Sequence, residues 1–143
     1  MAQYGLPKDL EIVPLIESGF TNYFNPRHQR GAGLWGFIPQ TARRYELRVD
    51  ELGIPGRVDD RLDEEKETVA AAKYFRDLNN LFPQEWLLVL KGYNEGETKV
   101  SRDIMEYGTR DAWELERQSE SKERYLAKIT AALLIYKNPG LLE

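Results

Sequence analysis

Leu6–Phe20, LPKDLEIVPLIESGF, is the stretch on which the fold class turns. Pro7 suits the first turn of a helix, where its missing N–H has no intrahelical partner to lose. Leu6, Leu10 and Val13 follow at the spacing of one helical face, and Glu17 is the next position on that stripe. Gly19 is a stop signal, because glycine accepts the left-handed conformation that ends many helices, so Glu17 falls in the last turn. Pro14 lies inside this helix, removes a backbone hydrogen bond and predicts a kink or a fresh turn. The helix C-terminus carries partial negative charge, and a core-facing position desolvates a carboxylate. Both favour the protonated form, so Glu17 is expected to have a raised pKa and to be able to donate a proton near neutral pH. A surface glutamate at a frayed helix end is the alternative that position alone leaves open.

The same helical grammar recurs downstream. Pro39 opens a second helix, PQTARRYEL, with Ala42, Tyr45 and Glu46 at helical spacing. Asp63 begins a longer one, DEEKETVAAAKYFRDLNNLF, with acids in its first turn and a buried stripe of Ala71, Phe75, Leu78 and Phe82. QEWLLVLKGY is apolar nearly all round and is expected at the centre of the core. Asn94-Glu95-Gly96 interrupts it, and a helix over Glu97–Tyr107 turns Val100, Ile104 and Tyr107 inward before Gly108 closes it. Arg110–Glu120 is polar and ambiguous, with Trp113 as its expected anchor. A last helix from about Lys122 to Lys137 carries Tyr125, Ile129, Ala132 and Tyr136 inward, and Asn138-Pro139-Gly140 stops it. Between these lie two long loops, Thr21–Gly33 and Arg48–Arg61, and the short apolar run Leu34–Ile38, which length alone assigns to neither strand nor helix. The loops are long enough to suggest function rather than mere connection. The expectation is an all-α, or nearly all-α, single domain over residues 1–143.

Composition narrows the chemistry. With 143 residues, 41% of them hydrophobic and 31% charged, the chain has the make-up of a soluble globular domain. A net charge of −4 and the absence of any basic block argue against nucleic acid or an anionic membrane surface as partner. The chain has no cysteine and one histidine, which removes disulfides and thiolate metal sites and disfavours a Ser-His triad. Acid–base chemistry would fall to Glu, Asp, Tyr or Lys. No apolar run has signal-peptide or transmembrane length. Met1-Ala2 leads directly into folded-looking sequence, as in a protein used without a secretory signal or in an excised domain.

Three places combine polar groups with aromatics outside the expected helices: Glu17-Ser18, Gly33-Leu34-Trp35-Gly36-Phe37, and Gly92-Tyr93-Asn94-Glu95-Gly96-Glu97. Carbohydrate suits such surfaces, because a sugar ring offers an apolar face to an aromatic and hydroxyls to Asn, Glu and Tyr. Core packing of Trp35, and helix capping by Tyr93 and Asn94, are the plainer alternatives for each taken singly.

In this order the three segments resemble the catalytic domain of the soluble-lytic-transglycosylase superfamily, most closely the membrane-bound lytic transglycosylase D type, over nearly the whole chain. LPKDLEIVPLIESGF is similar to the family's first motif, whose Glu-Ser supplies the sole catalytic acid, here Glu17 followed by Ser18. GAGLWGFIPQTARRYEL resembles the second, carried by Gly33, Leu34, Trp35, Phe37, Ile38, Pro39, Thr41 and Ala42. The stretch from Asp59 to Ile104 resembles the segment containing Ala-Tyr-Asn-Ala-Gly-Glu, matched by Tyr93, Asn94, Gly96 and Glu97. SKERYLAKITAALLIYKNP is similar to the closing motif, whose site-lining tyrosine is Tyr125 here. Four departures stand out. Gly36 replaces the family's Gln, Arg27 falls where Ser is common, Gly92 and Glu95 replace small alanines, and the segment between Glu-Ser and Gly-Leu-Trp is one residue longer than usual.

The resemblance implies a lysozyme-like fold with a substrate groove and cleavage of peptidoglycan at the β-1,4 bond between N-acetylmuramic acid and N-acetylglucosamine. Glu17 would protonate the leaving oxygen and then take the proton of the muramic C6 hydroxyl as that oxygen attacks C1, leaving a 1,6-anhydro sugar. The sugar's 2-acetamido group would stabilise the oxocarbenium centre, so the two carboxylates of an ordinary glycosidase are not required. Ser18, Trp35, Phe37, Tyr93, Asn94 and Tyr125 would bind substrate, with Tyr93 and Asn94 orienting the acid and the acetamido group and the other aromatics walling the groove. No metal or cofactor is implied, and a monomer is expected. The implied location is the bacterial cell envelope, in the periplasm or associated with the outer membrane, or a phage-borne or secretion-machine setting. A goose-lysozyme-like hydrolase with Asp59, Asp60, Glu95 or Glu97 as second carboxylate, and a non-catalytic glycan-binding module, are the competing readings.

Overall fold

A computed structural model describes residues 1–24, 31–50, 52–118 and 124–142. Among the described residues every regular element is helical, and the one β-type pairing is an isolated antiparallel bridge between Ala32 and Phe37. The α-helices are α1 Val13–Ser18, α2 Pro39–Arg44, α3 Glu64–Leu81, α4 Trp86–Glu95, α5 Glu97–Tyr107, α6 Ala112–Gln118 and α7 Tyr125–Lys137. The expected all-α class is therefore what the chain adopts. It divides into two compact units, Met1–Tyr74 and Phe75–Glu143.

In the first unit the single helix expected over Leu6–Phe20 is two pieces, a 3-10 segment Lys8–Ile12 and then α1. Pro14 is the cause: lacking an N–H, it is accommodated in the first turn of a helix and not in its interior, and it occupies the first turn of α1. The apolar stripe survives the break, with Leu6, Leu10 and Val13 all buried. Gly19 ends α1 in the left-handed conformation at φ 63°, as its position predicts. Leu34–Ile38 is neither strand nor helix; residues 33–36 form a turn closed by the Ala32 N–H donating to the Phe37 carbonyl at 3.1 Å. α2 stops at Arg44, earlier than periodicity suggested, and Glu46 leaves the helical path at φ 66° to pair with Lys73 at 2.9 Å.

The loop from Arg48 to Arg61 is held by charge instead of apolar packing. Asp60, buried, accepts from the Arg48 backbone, the Arg48 guanidinium and Lys66. Asp59 accepts from the buried Arg61 guanidinium at 2.7 and 3.0 Å, and Arg61 reaches on to the Phe37 carbonyl. Hydrogen bonds from Arg48, and then from Lys66, hold the Asp60 carboxyl far below the usual range despite its burial.

In the second unit the core stripe continues along α3, with Phe75, Leu78 and then Phe82 buried as expected. α4 buries Leu88 to Gly92 but leaves Leu87 exposed, so it is not enclosed on every side. Of the expected interruption Asn94-Glu95-Gly96, Gly96 (φ 87°) ends α4, while Asn94 and Glu95 belong to its last turn, where Glu95 pairs with Lys91 at 2.9 Å. Three anchors differ from expectation. Tyr107 is exposed, and the inward position one turn earlier is Asp103, which is paired with Lys99 at 2.6 Å. Leu115 and Ala112, and not Trp113, are the buried residues of α6, and Asp111 caps its start through the Trp113 and Glu114 amides. In α7 Tyr125, Leu126 and Ile129 are buried whereas Tyr136 is exposed, since periodicity names a face without saying how far a neighbour extends along it. No described helix is long and apolar enough to cross a membrane.

Candidate active site

Glu17 stands half-buried in the last turn of α1, one residue before Ser18 and two before the Gly19 cap. Ser18 has one hydroxyl proton within reach of two acceptors, the Leu34 carbonyl at 2.8 Å and that of Pro14 at 2.9 Å. It therefore fastens the end of α1 to the turn of residues 33–36.

That turn needs both of its glycines. Gly33 (φ 78°) and Gly36 (φ 67°) are left-handed, where a side chain is strained. A Cβ on Gly33 would collide with the Arg61 carbonyl and the Glu67 carboxylate. A Cβ on Gly36 would stand 3.0 Å from Oε2 of Glu17 and 3.2 Å from its Cβ, so the bare backbone of Gly36 forms the floor under Glu17. The departure from the family's Gln thus falls at a position that adjoins the candidate acid.

Beneath the turn lies a residue that the sequence reading passed over. Glu67, in the first turn of α3, is 0% exposed. Its two carboxylate oxygens accept the backbone N–H of Leu34 at 2.8 Å and of Trp35 at 3.2 Å. The neighbouring Thr68 hydroxyl accepts the Trp35 indole N–H at 2.9 Å. Burial pushes the Glu67 carboxyl up to about 7, outweighing the two amide bonds that favour its ionised form. A signal for it existed: Glu67 lies four residues before Ala71 and so extends the buried stripe of α3, as Glu17 extends that of α1.

Tyr23 adds a second neighbour. Its carbonyl accepts the Gly33 N–H at 2.9 Å, and its half-buried phenol is pushed upward by burial and then by the negative charge of Glu17. Trp35 and Phe37, expected to wall a groove, are 4% and 3% exposed. Arg27 lies outside the described residues, as does the Lys122 start expected for the last helix.

In the second unit, Tyr93 and Asn94 occupy the last turns of α4 and are half-buried, the Tyr93 ring stacking on Phe75 with centroids 4.5 Å apart. Gly92 lets this happen: a Cβ there would meet a Leu78 methyl at 2.8 Å. Tyr125 opens α7 and is 5% exposed. Of the acids considered as a second carboxylate, Glu95 is bound by Lys91 and Lys99. Burial alone would raise it, but these two ammonium groups hold it below its ordinary value. Asp59 is likewise held down by Arg61 against the effect of its burial. With Asp60 already bound by Arg48 and Lys66, three of the four are committed to cations.

The profile of the family described as "Transglycosylase SLT domain" matches residues 2–116. The chain is 34% identical over 140 residues to the membrane-bound lytic murein transglycosylase D of Escherichia coli strain K12, covering 93% of this chain and 29% of that protein. It is equally similar, over the same shares, to the protein of that name from Escherichia coli O6:H1. The chain thus spans less than a third of the length of the curated relatives it matches. With its described elements helical and its Glu-Ser, Gly-Leu-Trp and Tyr-Asn segments all inside that match, the chain belongs to the transglycosylase SLT domain family.

Proposed function

We propose that the chain is the catalytic domain of a peptidoglycan lytic transglycosylase, acting at the bacterial cell envelope, with Glu17 as its single acid and base. Protonated Glu17 gives its proton to the glycosidic oxygen between N-acetylmuramic acid and N-acetylglucosamine. Its carboxylate then accepts the proton of the C6 hydroxyl as that oxygen closes on C1, so one bond forms, one breaks, and no water is consumed. The observation that supports this reading best is the setting of Glu17: half-buried, seated over the bare backbone of Gly36, and anchored through Ser18 to Leu34. Such preorganisation places a proton where charge develops.

The engagement of Asp59, Asp60 and Glu95 by cations favours this one-carboxyl route over hydrolysis through a second acid. Trp35 and Phe37, being buried, act by shaping the ground on which the sugar rests. Tyr93, Asn94 and Tyr125 are assigned to substrate on the family resemblance alone. Glu17→Gln keeps the size of the side chain and removes its acidity. It is expected to abolish release of soluble fragments from purified sacculi while the thermal unfolding temperature stays near that of the parent; persistent lysis by the folded variant would sink the assignment.

A further inference from the structure

We propose that Glu67 is a positioning residue for Glu17: its buried carboxylate fixes the turn of residues 33–36 in the register that seats Glu17 over Gly36 and Ser18 against Leu34. The inference rests on the reading of Glu17 as the acid. The geometry that carries it is a grip on one residue from two sides. The Leu34 N–H is held by Glu67 at 2.8 Å, and the Leu34 carbonyl by Ser18 at 2.8 Å. The Trp35 N–H is held by the other oxygen of Glu67, and the Trp35 indole by Thr68, the next residue of the same helix.

A turn built on two left-handed glycines leaves successive amides pointing inward, where neither helix nor sheet satisfies them. Buried without an acceptor, each would carry the desolvation penalty of an unmet donor. A carboxylate answers both at once, because it has two acceptor oxygens and no donor. Glutamine offers one oxygen and turns an NH2 toward the second amide; alanine offers nothing. Packing alone would not select this residue, since an apolar side chain fills a buried site without the desolvation cost of a carboxylate. The charges that raise Glu67 beyond its burial are those of Glu64 and then Asp63, and the Tyr23 phenol feels Glu67 in turn; Arg61 approaches the same glycine, Gly33, with its carbonyl. The site is thus built around a buried carboxyl group that serves the turn.

The test is a steady-state comparison of the parent, Glu67→Gln and Glu67→Ala on soluble peptidoglycan fragments of defined length, together with thermal melts and backbone amide spectra. A displacement of Glu17 on the order of 1 Å costs about 10²-fold in turnover. We therefore expect kcat to fall by roughly that factor in Glu67→Ala and by less in Glu67→Gln, with KM changed little and the Leu34 and Trp35 amide resonances shifted in both. Folded variants with the kcat of the parent, or with unmoved Leu34 and Trp35 amides, would overturn the inference. If neither variant folds, hydrogen exchange in the parent decides: Leu34 and Trp35 amides as protected as those of α3 support the grip, and loop-like exchange refutes it. A parent that cleaves nothing overturns the Glu17 reading and this inference with it, whereas an active parent with normally active variants overturns this inference alone.

Discussion

The residue scale turns on two glutamates with opposite tasks. Glu17, the proposed acid, is half-buried at a helix end; Glu67 is sealed, where it holds backbone. Both lie on apolar stripes, and an acid on an apolar stripe is the feature in the sequence that marks them. The first was legible because a motif surrounds it. The second was not, because EEKET looks like an ordinary acidic first helical turn until the fold brings Leu34 and Trp35 above it. Gly36 was legible as a departure, but its meaning required coordinates. Gly36→Ala should cost about 1 kcal/mol for the left-handed backbone. It should also lower kcat by more than that loss of stability explains, since the new methyl meets the Glu17 carboxyl; paired melts and kinetics check this. Gly33→Ala should be far worse for folding, because the methyl would meet the Arg61 backbone, which has no rotamer to yield.

Among elements, the periodic signal predicted helix type well and helix phase poorly. Phase went wrong where polar caps or neighbours decide it. α6 is the clear instance: Trp113 is the aromatic of its segment, yet Ala112 and Leu115 are the residues that face inward. Leu115→Ala should therefore destabilise by about 2–5 kcal/mol, and Trp113→Ala by distinctly less, in denaturant unfolding. The reverse order would mean that the helix has another phase. α1 failed for a different reason, the missing amide of Pro14, and this had a signal in the sequence. Shortening α1 to Val13–Ser18 leaves a six-residue helix whose end depends on tertiary ties. Ser18→Ala removes the tie to Leu34 and should cost about 1 kcal/mol, with a loss of turnover, measurable by the same pairing of melts and kinetics.

For the whole molecule, opposing shifts in carboxylate pKa set the dependence of stability on pH. Glu67 binds its proton more tightly folded than unfolded, with its carboxyl pushed from 4.5 to about 7. The folded state then holds more protons than the unfolded state across that interval, so stability falls as pH rises from 4.5 to about 7. Asp59, Asp60 and Glu95 are held below their ordinary values, so the stability they confer is present above those values and is lost as pH falls through the folded ones. Together these predict a melting temperature that is highest at about pH 4.5 and declines on both sides; Glu67→Gln should flatten the neutral side and leave the acid side unchanged. The charge networks behind the acid side were invisible in the sequence, where Arg48–Arg61 offered only breakers and scattered charges. The helical class and the order of the motifs were legible because both are local.

The most direct measurement is mass spectrometry of the fragments that the parent and Glu17→Gln release from purified sacculi. The parent should release muropeptides ending in 1,6-anhydro-N-acetylmuramic acid, and the variant none. Reducing ends, heavier by one water, or undiminished anhydro ends from the variant, would contradict this.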